Sequence, residues 1–494
     1  MTAYAELERR FARIAKIEAA MSVLHWDQSV MMPPGGAEAR GEQIAVLRGL
    51  AHEQLADPQT GTLLDQAGED ALDVWQSANL REMRRRYVHA TAVPGDLVEA
   101  LSRAITRCET IWRRARSLSD FAMLLPSLRE VLARVRETAA AKSDALGVAP
   151  YDALLDQYDP GRRSADIDRI FGELEAFLPG LLGRVLERQG REPAPQIPKG
   201  RFAPAAQRAL AERLVLALGF DFEHGRLDVS LHPFSSGVPE DSRITTRYDE
   251  RDFTSALMGT LHETGHALYQ QGLPRPWRWQ PVGDDRGMTI HESQSLIIEM
   301  QACRSRSFAD HLAPLLRETF GRRGPAWGAE SLHRRLIHVE PGFIRVDADE
   351  VTYPLHIILR YRLETAMIEG RLDPSDLPDA WGEGMERLLG IRPPDDRLGC
   401  LQDIHWPDGA WGYFPTYTLG AIAAAQLFQA ARAAEPDLLE CIGRGDFAPL
   451  VGWLRRNVHV KGSLLDSDEL LRAATGRPLD PEAFKRHLTE RYCP

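Results

Sequence analysis

Asp252-Phe-Thr-Ser-Ala-Leu-Met-Gly-Thr-Leu-His-Glu-Thr-Gly-His-Ala-Leu-Tyr-Gln-Gln-Gly272 opens on a residue that can cap a helix and closes on one that can end it. Inside it lies His262-Glu263-Thr264-Gly265-His266. Residues four apart share a helix face, so both imidazoles can reach one metal ion. Glu263 sits about 100° round the helix from His262, beside such an ion without binding it. There it can take a proton from a water held by the metal, the work of such a glutamate in zinc peptidases.

A catalytic zinc needs a third protein ligand and an open fourth position. Met288-Thr-Ile-His-Glu-Ser-Gln-Ser-Leu-Ile-Ile-Glu299 supplies His291, Glu292 and Glu299 as candidates. His291 and Glu292 are adjacent and point in different directions on a helix, so at most one coordinates. Glu292 completes a set of two histidines and one carboxylate, and a first helical turn suits an anion. Glu299 lies two turns on along the same face, as an orienting partner or a plain salt-bridge residue. A structural site would close with a fourth Cys or His, and no cysteine lies close except Cys303.

Outward from this segment the chain is largely helical. Its first 150 residues are rich in Ala, Leu, Arg and Glu, with apolar positions recurring at three and four, as at Leu101, Ile105, Cys108 and Ile111-Trp112. Pro33-Pro34-Gly35-Gly36 breaks an early helix, and Asp57-Pro58 starts a turn. Glu192-Pro-Ala-Pro-Gln-Ile-Pro198 is a loop, too short by itself to establish a domain boundary. Leu227–His232 and Ser242–Tyr248 read as strands separated by a loop at Gly237, Val238 and Pro239, which predicts a small antiparallel hairpin. The fold class is mainly α with one small antiparallel β-sheet.

Composition narrows the function. The 494 residues are 44% apolar and carry a net charge of −11, which excludes disorder and collagen-like repeats. The acidic balance argues against nucleic acid, which wants a basic face. No stretch reaches the ~18 uninterrupted apolar residues of a membrane span. The N-terminus lacks a basic start followed by an apolar run, so no signal peptide is expected. Five scattered cysteines, Cys108, Cys303, Cys400, Cys441 and Cys493, read as reduced thiols of a cytoplasmic protein.

Six short motifs, in order, resemble those of the carboxypeptidase Taq family of metallocarboxypeptidases. They are His232-Pro233-Phe234, Asp241-x-Arg243-x-Thr245, His262-Glu-x-x-His266 and His291-Glu-Ser-Gln294, then Ile344-Arg345-x-x-Ala348-Asp349 and Gly399-x-x-Gln402-Asp403-x-His405-Trp406. The interval from His266 to Glu292 (292 − 266 = 26) also fits, as does Trp26-Asp27-Gln28 followed by Met32-Pro33 and Gly36. The resemblance implies a two-lobed helical body with a deep active-site groove, of neurolysin-like architecture. It implies one unit over 1–494, with a helical N-terminal region over about 1–110 covering the groove and a motif-bearing catalytic region over about 225–420. It also implies one Zn2+ per chain, replaceable by Co2+, broad-specificity trimming of peptides with a free C-terminus, and a homodimer. Carried over residue by residue, His262, His266 and Glu292 are the ligands and Glu263 the general base.

Other residues follow from the chemistry. A peptidase must stabilise the oxyanion on the scissile carbonyl, and His405, Tyr413 and Tyr417 are the candidate donors. An exopeptidase must also read a terminal carboxylate, a task for arginine. Arg345 and Arg243 come first, ahead of Arg247, Arg360, Arg392 and Arg397, and His232 and Gln402 join them as motif residues contacting substrate. Asp349 and Asp241 are expected to orient an imidazole or an arginine, and Asp403 to orient His405. The rival readings are an endo-acting oligopeptidase on the same scaffold and a non-catalytic peptide-binding protein with a structural metal.

Overall fold

The computed structural model describes residues 2–494, most of them in helices. Local chemistry sets many helix starts. Thr2 accepts a hydrogen bond from the Ala5 N–H, and Asp57 caps the Pro58–Ala67 helix, whose first residue is a proline. Two compact units emerge, each from three chain segments: Met1–Ala90 with Pro195–Leu336 and Ala423–Leu479, and Thr91–Ala194 with Ile337–Ile422 and Asp480–Pro494. One unit boundary falls inside the proline-rich loop, and another divides the motif-bearing stretch at 336/337. No helix among the described residues is long and apolar enough to cross a membrane.

The first unit holds the sheet: β1 (Gly225–Val229), β2 (Ser235–Val238) and β3 (Asp241–Thr246). The order is β1-β3-β2. The expected antiparallel sheet is corrected here, because β1 pairs with β3 in parallel, Gly225 opposite Ser242. The antiparallel partner of β3 is β2, which the sequence reading placed in the loop. Ser235-Ser-Gly-Val238 lacks the alternation that marks a strand, and only the central β3 beside it turns this segment into one. Gly237 is needed there, at a φ of +122° and where a Cβ would stand 2.0 Å from the Asp241 carbonyl oxygen.

The Phe253–Gly272 helix packs on this sheet. Asp252 caps it by accepting from the Thr254 N–H at 2.9 Å. It is buried on nearly every side, as expected for a helix apolar around its circumference. Thr260 Oγ1 donates to Thr246 Oγ1 at 2.9 Å, fixing the helix to β3 two residues before His262. Alongside runs the Gly287–Leu296 helix, which continues without a break into a wide π-helical turn over Ile297–Ala302.

The core of the second unit includes the Tyr353–Ile368 helix, which carries Arg360 with no exposed surface. Glu364 on the same helix accepts hydrogen bonds from Tyr151 Oη (2.8 Å), Trp406 Nε1 (2.7 Å) and the Gly412 N–H (2.8 Å). It thereby anchors the aromatic segment that bears His405 and Tyr413.

Candidate active site

The two helices of the first unit bring His262, His266 and Glu292 together, with one ligand atom of each within 4.8 Å of the others. His262 Nε2 lies 3.9 Å from Glu292 Oε1, and His266 Nε2 lies 3.7 Å from Oε2. These separations are too long for hydrogen bonds and suit donors converging on a shared cation. Charge points the same way. Burial opposes protonation of His262, yet the Glu299 hydrogen bond and the carboxylates of Glu292 and Glu263 raise it to about 10. The cluster therefore draws positive charge to itself. Burial and the neighbouring imidazoles hold His266 well below its ordinary value, in the neutral form that coordinates metal.

His291 falls outside this group. Its ring stacks on that of His266 at 4.2 Å between centroids and 17° between planes. Imidazole lone pairs lie in the ring plane, so two nearly parallel rings stacked face to face cannot both aim at one ion. His262 meets His266 edge-on at 80°, an arrangement that two ligands of one ion can share.

Glu299 bridges His262 and Arg304. Its Oε2 lies 3.0 Å from His262 Nδ1, and its Oε1 accepts from Arg304 at 2.8 Å. The π-helical turn carries it, in keeping with the frequency of such turns at functional sites. Glu263 is buried and outside the ligand set. Burial pushes its carboxyl up to about 7, with Glu292 adding to the rise and His262 opposing it, a value matched to general-base work near neutral pH.

Still in the first unit, Arg243 pairs with Asp241 through two hydrogen bonds, of 2.8 and 2.7 Å. Asp241 thus holds an arginine rather than an imidazole. The Arg243 guanidinium lies 4.3 Å from the centre of the Trp26 ring, and that of Arg226 lies 4.8 Å from it. Trp26 belongs to the Ala3–Val30 helix, and of the opening Trp-Asp-Gln motif it is the residue that meets Arg243, while Asp27 pairs with Arg40. His232 is exposed just beyond β1, and Arg247 is exposed with a hydrogen bond to the Leu231 carbonyl.

Within the second unit, Arg345 is buried and donates from Nε and Nη2 to Asp403 Oδ1 at 3.0 and 2.9 Å, and from Nη1 to Tyr353 Oη at 2.9 Å. Arg360 pairs with the other Asp403 oxygen at 2.6 Å. Two guanidiniums share one carboxylate, leaving this trio one positive charge in excess. His405 Nδ1 is 4.0 Å from Asp403, its Nε2 is 3.3 Å from Tyr417 Oη, and its ring stacks on Phe414. Burial first and Arg345 second lower His405 to about 4, so its ring is neutral at pH 7. Tyr413 and Tyr417 meet edge-on at 5.1 Å.

Two expectations are corrected here. The Gln402 amide is committed to the backbone around Arg345: Oε1 accepts from the Arg345 N–H, and the two Nε2 hydrogens are shared among the Phe343, Leu398 and Gly399 carbonyls. Asp349 orients neither imidazole nor arginine. It accepts from the Glu340, Val351 and Thr352 N–H groups and the Thr352 hydroxyl, and so shapes the loop behind Arg345. Both side chains brace the backbone that carries the arginine. Asp285 and Glu364 were missed, and no spacing rule in the sequence would have found them, because their partners are set by tertiary contacts.

The family described as carboxypeptidase Taq (M32) metallopeptidase matches residues 6–492. Thermostable carboxypeptidase 1 of Thermus thermophilus is 41% identical over 499 residues, covering 99% of this chain and 97% of that protein. The protein of the same name from Pyrococcus furiosus is 36% identical over 494 residues, covering 98% and 97%. Among solved structures, metallocarboxypeptidase 1 of Trypanosoma cruzi matches with a TM-score of 0.98 at 40% identity, over 100% of this chain and 99% of that one.

Proposed function

The chain belongs to the carboxypeptidase Taq family of metallopeptidases, and from that premise we propose a zinc carboxypeptidase that releases residues one at a time from peptide C-termini. The observation that carries this reading is the convergence of His262, His266 and Glu292 beside the buried Glu263. Two imidazoles and one carboxylate make a donor set suited to zinc with a position left open. A divalent cation held there supplies a Lewis acid and lowers the pKa of water.

The protein's own groups do the rest. Glu263 accepts the proton of the attacking water on its carboxylate and passes it to the leaving amine. Glu299 holds His262 in the tautomer that presents Nε2 to the ligand position. His405, Tyr413 and Tyr417 are the candidate hydrogen-bond donors to the oxyanion. The excess positive charge of the Arg345–Asp403–Arg360 trio suits it to a terminal carboxylate, whereas Arg243 is neutralised by its own aspartate. Broad tolerance at the last residue, cobalt as a substitute metal and a homodimer are carried over from the family resemblance. All five cysteines are free thiols, which supports a reducing compartment, the cytoplasm.

The test is to incubate an unblocked peptide with the purified protein, with and without chelator, and to read the products by mass spectrometry. A ladder shortened from the C-terminus, abolished by chelator, is expected. A single internal cut would instead establish an endo-acting oligopeptidase.

A further inference from the structure

The two imidazole ligands are held differently. His262 has the usual arrangement, its second ring nitrogen on a carboxylate at 3.0 Å. His266 has no such partner. Its Nδ1 is buried, faces the His291 main chain and makes no hydrogen bond of good geometry. What touches its ring face is the His291 imidazole, stacked at 4.2 Å.

His291 is in turn held from behind. Its Nδ1 lies 2.5 Å from Asp285 Oδ2, a close ion-pair contact without the alignment of a hydrogen bond. The loop carrying Asp285 is fixed at the next residue: the Arg286 N–H donates to Tyr269 Oη at 3.1 Å, and the Arg286 guanidinium forms a buried pair with Glu82 at 2.7 Å. Tyr269 stands one turn beyond His266 on the same helix. The loop, the ring and the ligand thus form a closed brace.

We infer that His291, tethered by Asp285, is a positioning residue that sets the ring plane of His266 by stacking, replacing the hydrogen bond that a metal-bound histidine ordinarily makes through its second nitrogen. The inference rests on the ligand set His262, His266 and Glu292. A ring free to rotate about its χ2 angle would present Nε2 to the ion only part of the time. Loss of an outer partner of a metal ligand typically weakens metal binding about 10- to 100-fold.

The experiment measures Zn2+ affinity by chelator competition and records the visible absorption spectrum of the Co2+-loaded protein. His291→Ala should bind Zn2+ about 10- to 100-fold more weakly, and its cobalt bands should shift. His291→Phe, which keeps a flat ring but loses the contact with Asp285, should bind between His291→Ala and the wild type. Wild-type affinity and an unshifted spectrum in His291→Ala would overturn the inference, as would a His291→Phe variant no better than His291→Ala. Glu292→Ala separates this from a wrong ligand set, since full metal retention there refutes the set itself. Should His291→Ala fail to fold, Asp285→Ala decides: it keeps the ring and frees it, so an unchanged cobalt spectrum would again overturn the inference.

Discussion

Gly265 sits so close to the main chain of Gln294 that a Cβ on it would stand 2.4 Å from the Gln294 carbonyl oxygen and 2.6 Å from the Ser295 Cα. This contact is where the helix bearing both histidines meets the helix bearing Glu292. Backbone cannot swing aside as a flexible side chain can, so a methyl group must push the helices apart. Gly265→Ala should therefore cost about 1–3 kcal/mol of stability and release metal. Thermal melts and atomic absorption test this, and a variant with full metal content at the wild-type melting temperature would refute it.

Glu263 lies outside the ligand set and its carboxylate is buried beside it. Glu263→Gln keeps the shape and removes the proton acceptor. Metal content should be retained while turnover falls by at least about 10²–10⁴-fold, the usual contribution of a general base. Activity near that of the wild type would remove Glu263 from this role.

The cluster of His262, His266 and Glu292 was legible because helical spacing alone puts His262 and His266 on one face, and the interval to the next motif brings Glu292 forward as a third donor. The stack of His291 on His266 sets His291 apart from that cluster. Glu299 was visible as a residue on the right face, but its bond to His262 needed the structure. The small sheet was half legible. Strand patterning marks β1 and β3 but does not carry pairing direction, and Ser235-Ser-Gly-Val238 has no pattern at all. Motif membership also misled at Gln402 and Asp349, because a motif records that a residue is needed without saying whether it meets the substrate or braces the residue that does.

Removing Glu299 should loosen the metal without emptying the site. Glu299→Ala frees the His262 ring and leaves Arg304 without its carboxylate. Zn2+ affinity should fall about 10- to 100-fold, whereas Glu292→Ala should lose bound zinc altogether. Chelator competition on both variants ranks the two roles, and equal losses would mean that Glu299 is itself a ligand.

Glu364 gives the second unit a pH dependence. Burial raises its carboxyl to about 7, although its three hydrogen-bond donors oppose the rise. The folded value lies above the ordinary 4.5 of an exposed glutamate, so its stabilising contribution is complete below about 4.5 and is lost as the pH rises through about 7. That gap corresponds to about 3 kcal/mol. In Glu364→Gln the amide must aim its NH2 at one of the N–H donors, Trp406 Nε1 or Gly412, so the variant should be less stable at pH 5. It does not titrate, so the wild type's advantage should shrink by most of that amount by pH 8. Denaturant midpoints of both metal-free proteins at the two pH values test the sign, and a constant difference would refute it.

The exopeptidase claim requires that a free carboxylate be read, and Arg345 belongs to the trio whose charge is not fully balanced. Asp403 is shared with Arg360, so Arg345→Ala leaves a neutral Arg360–Asp403 pair instead of an isolated buried charge, and the variant should fold. Amidation of a peptide removes the negative charge and one acceptor oxygen. Loss of a charge-assisted hydrogen bond, at about 1.5–3 kcal/mol, predicts cleavage of the amidated peptide about 10- to 150-fold slower than that of its free twin. In Arg345→Ala the free peptide should slow towards the amidated one, narrowing the ratio, because the group that told them apart is gone. Comparing kcat/KM for both peptides on both proteins gives the ratio directly. An unchanged ratio would move the carboxylate-reading role from Arg345 to another cation, and equal cleavage of both peptides by the wild type would refute the exopeptidase reading altogether.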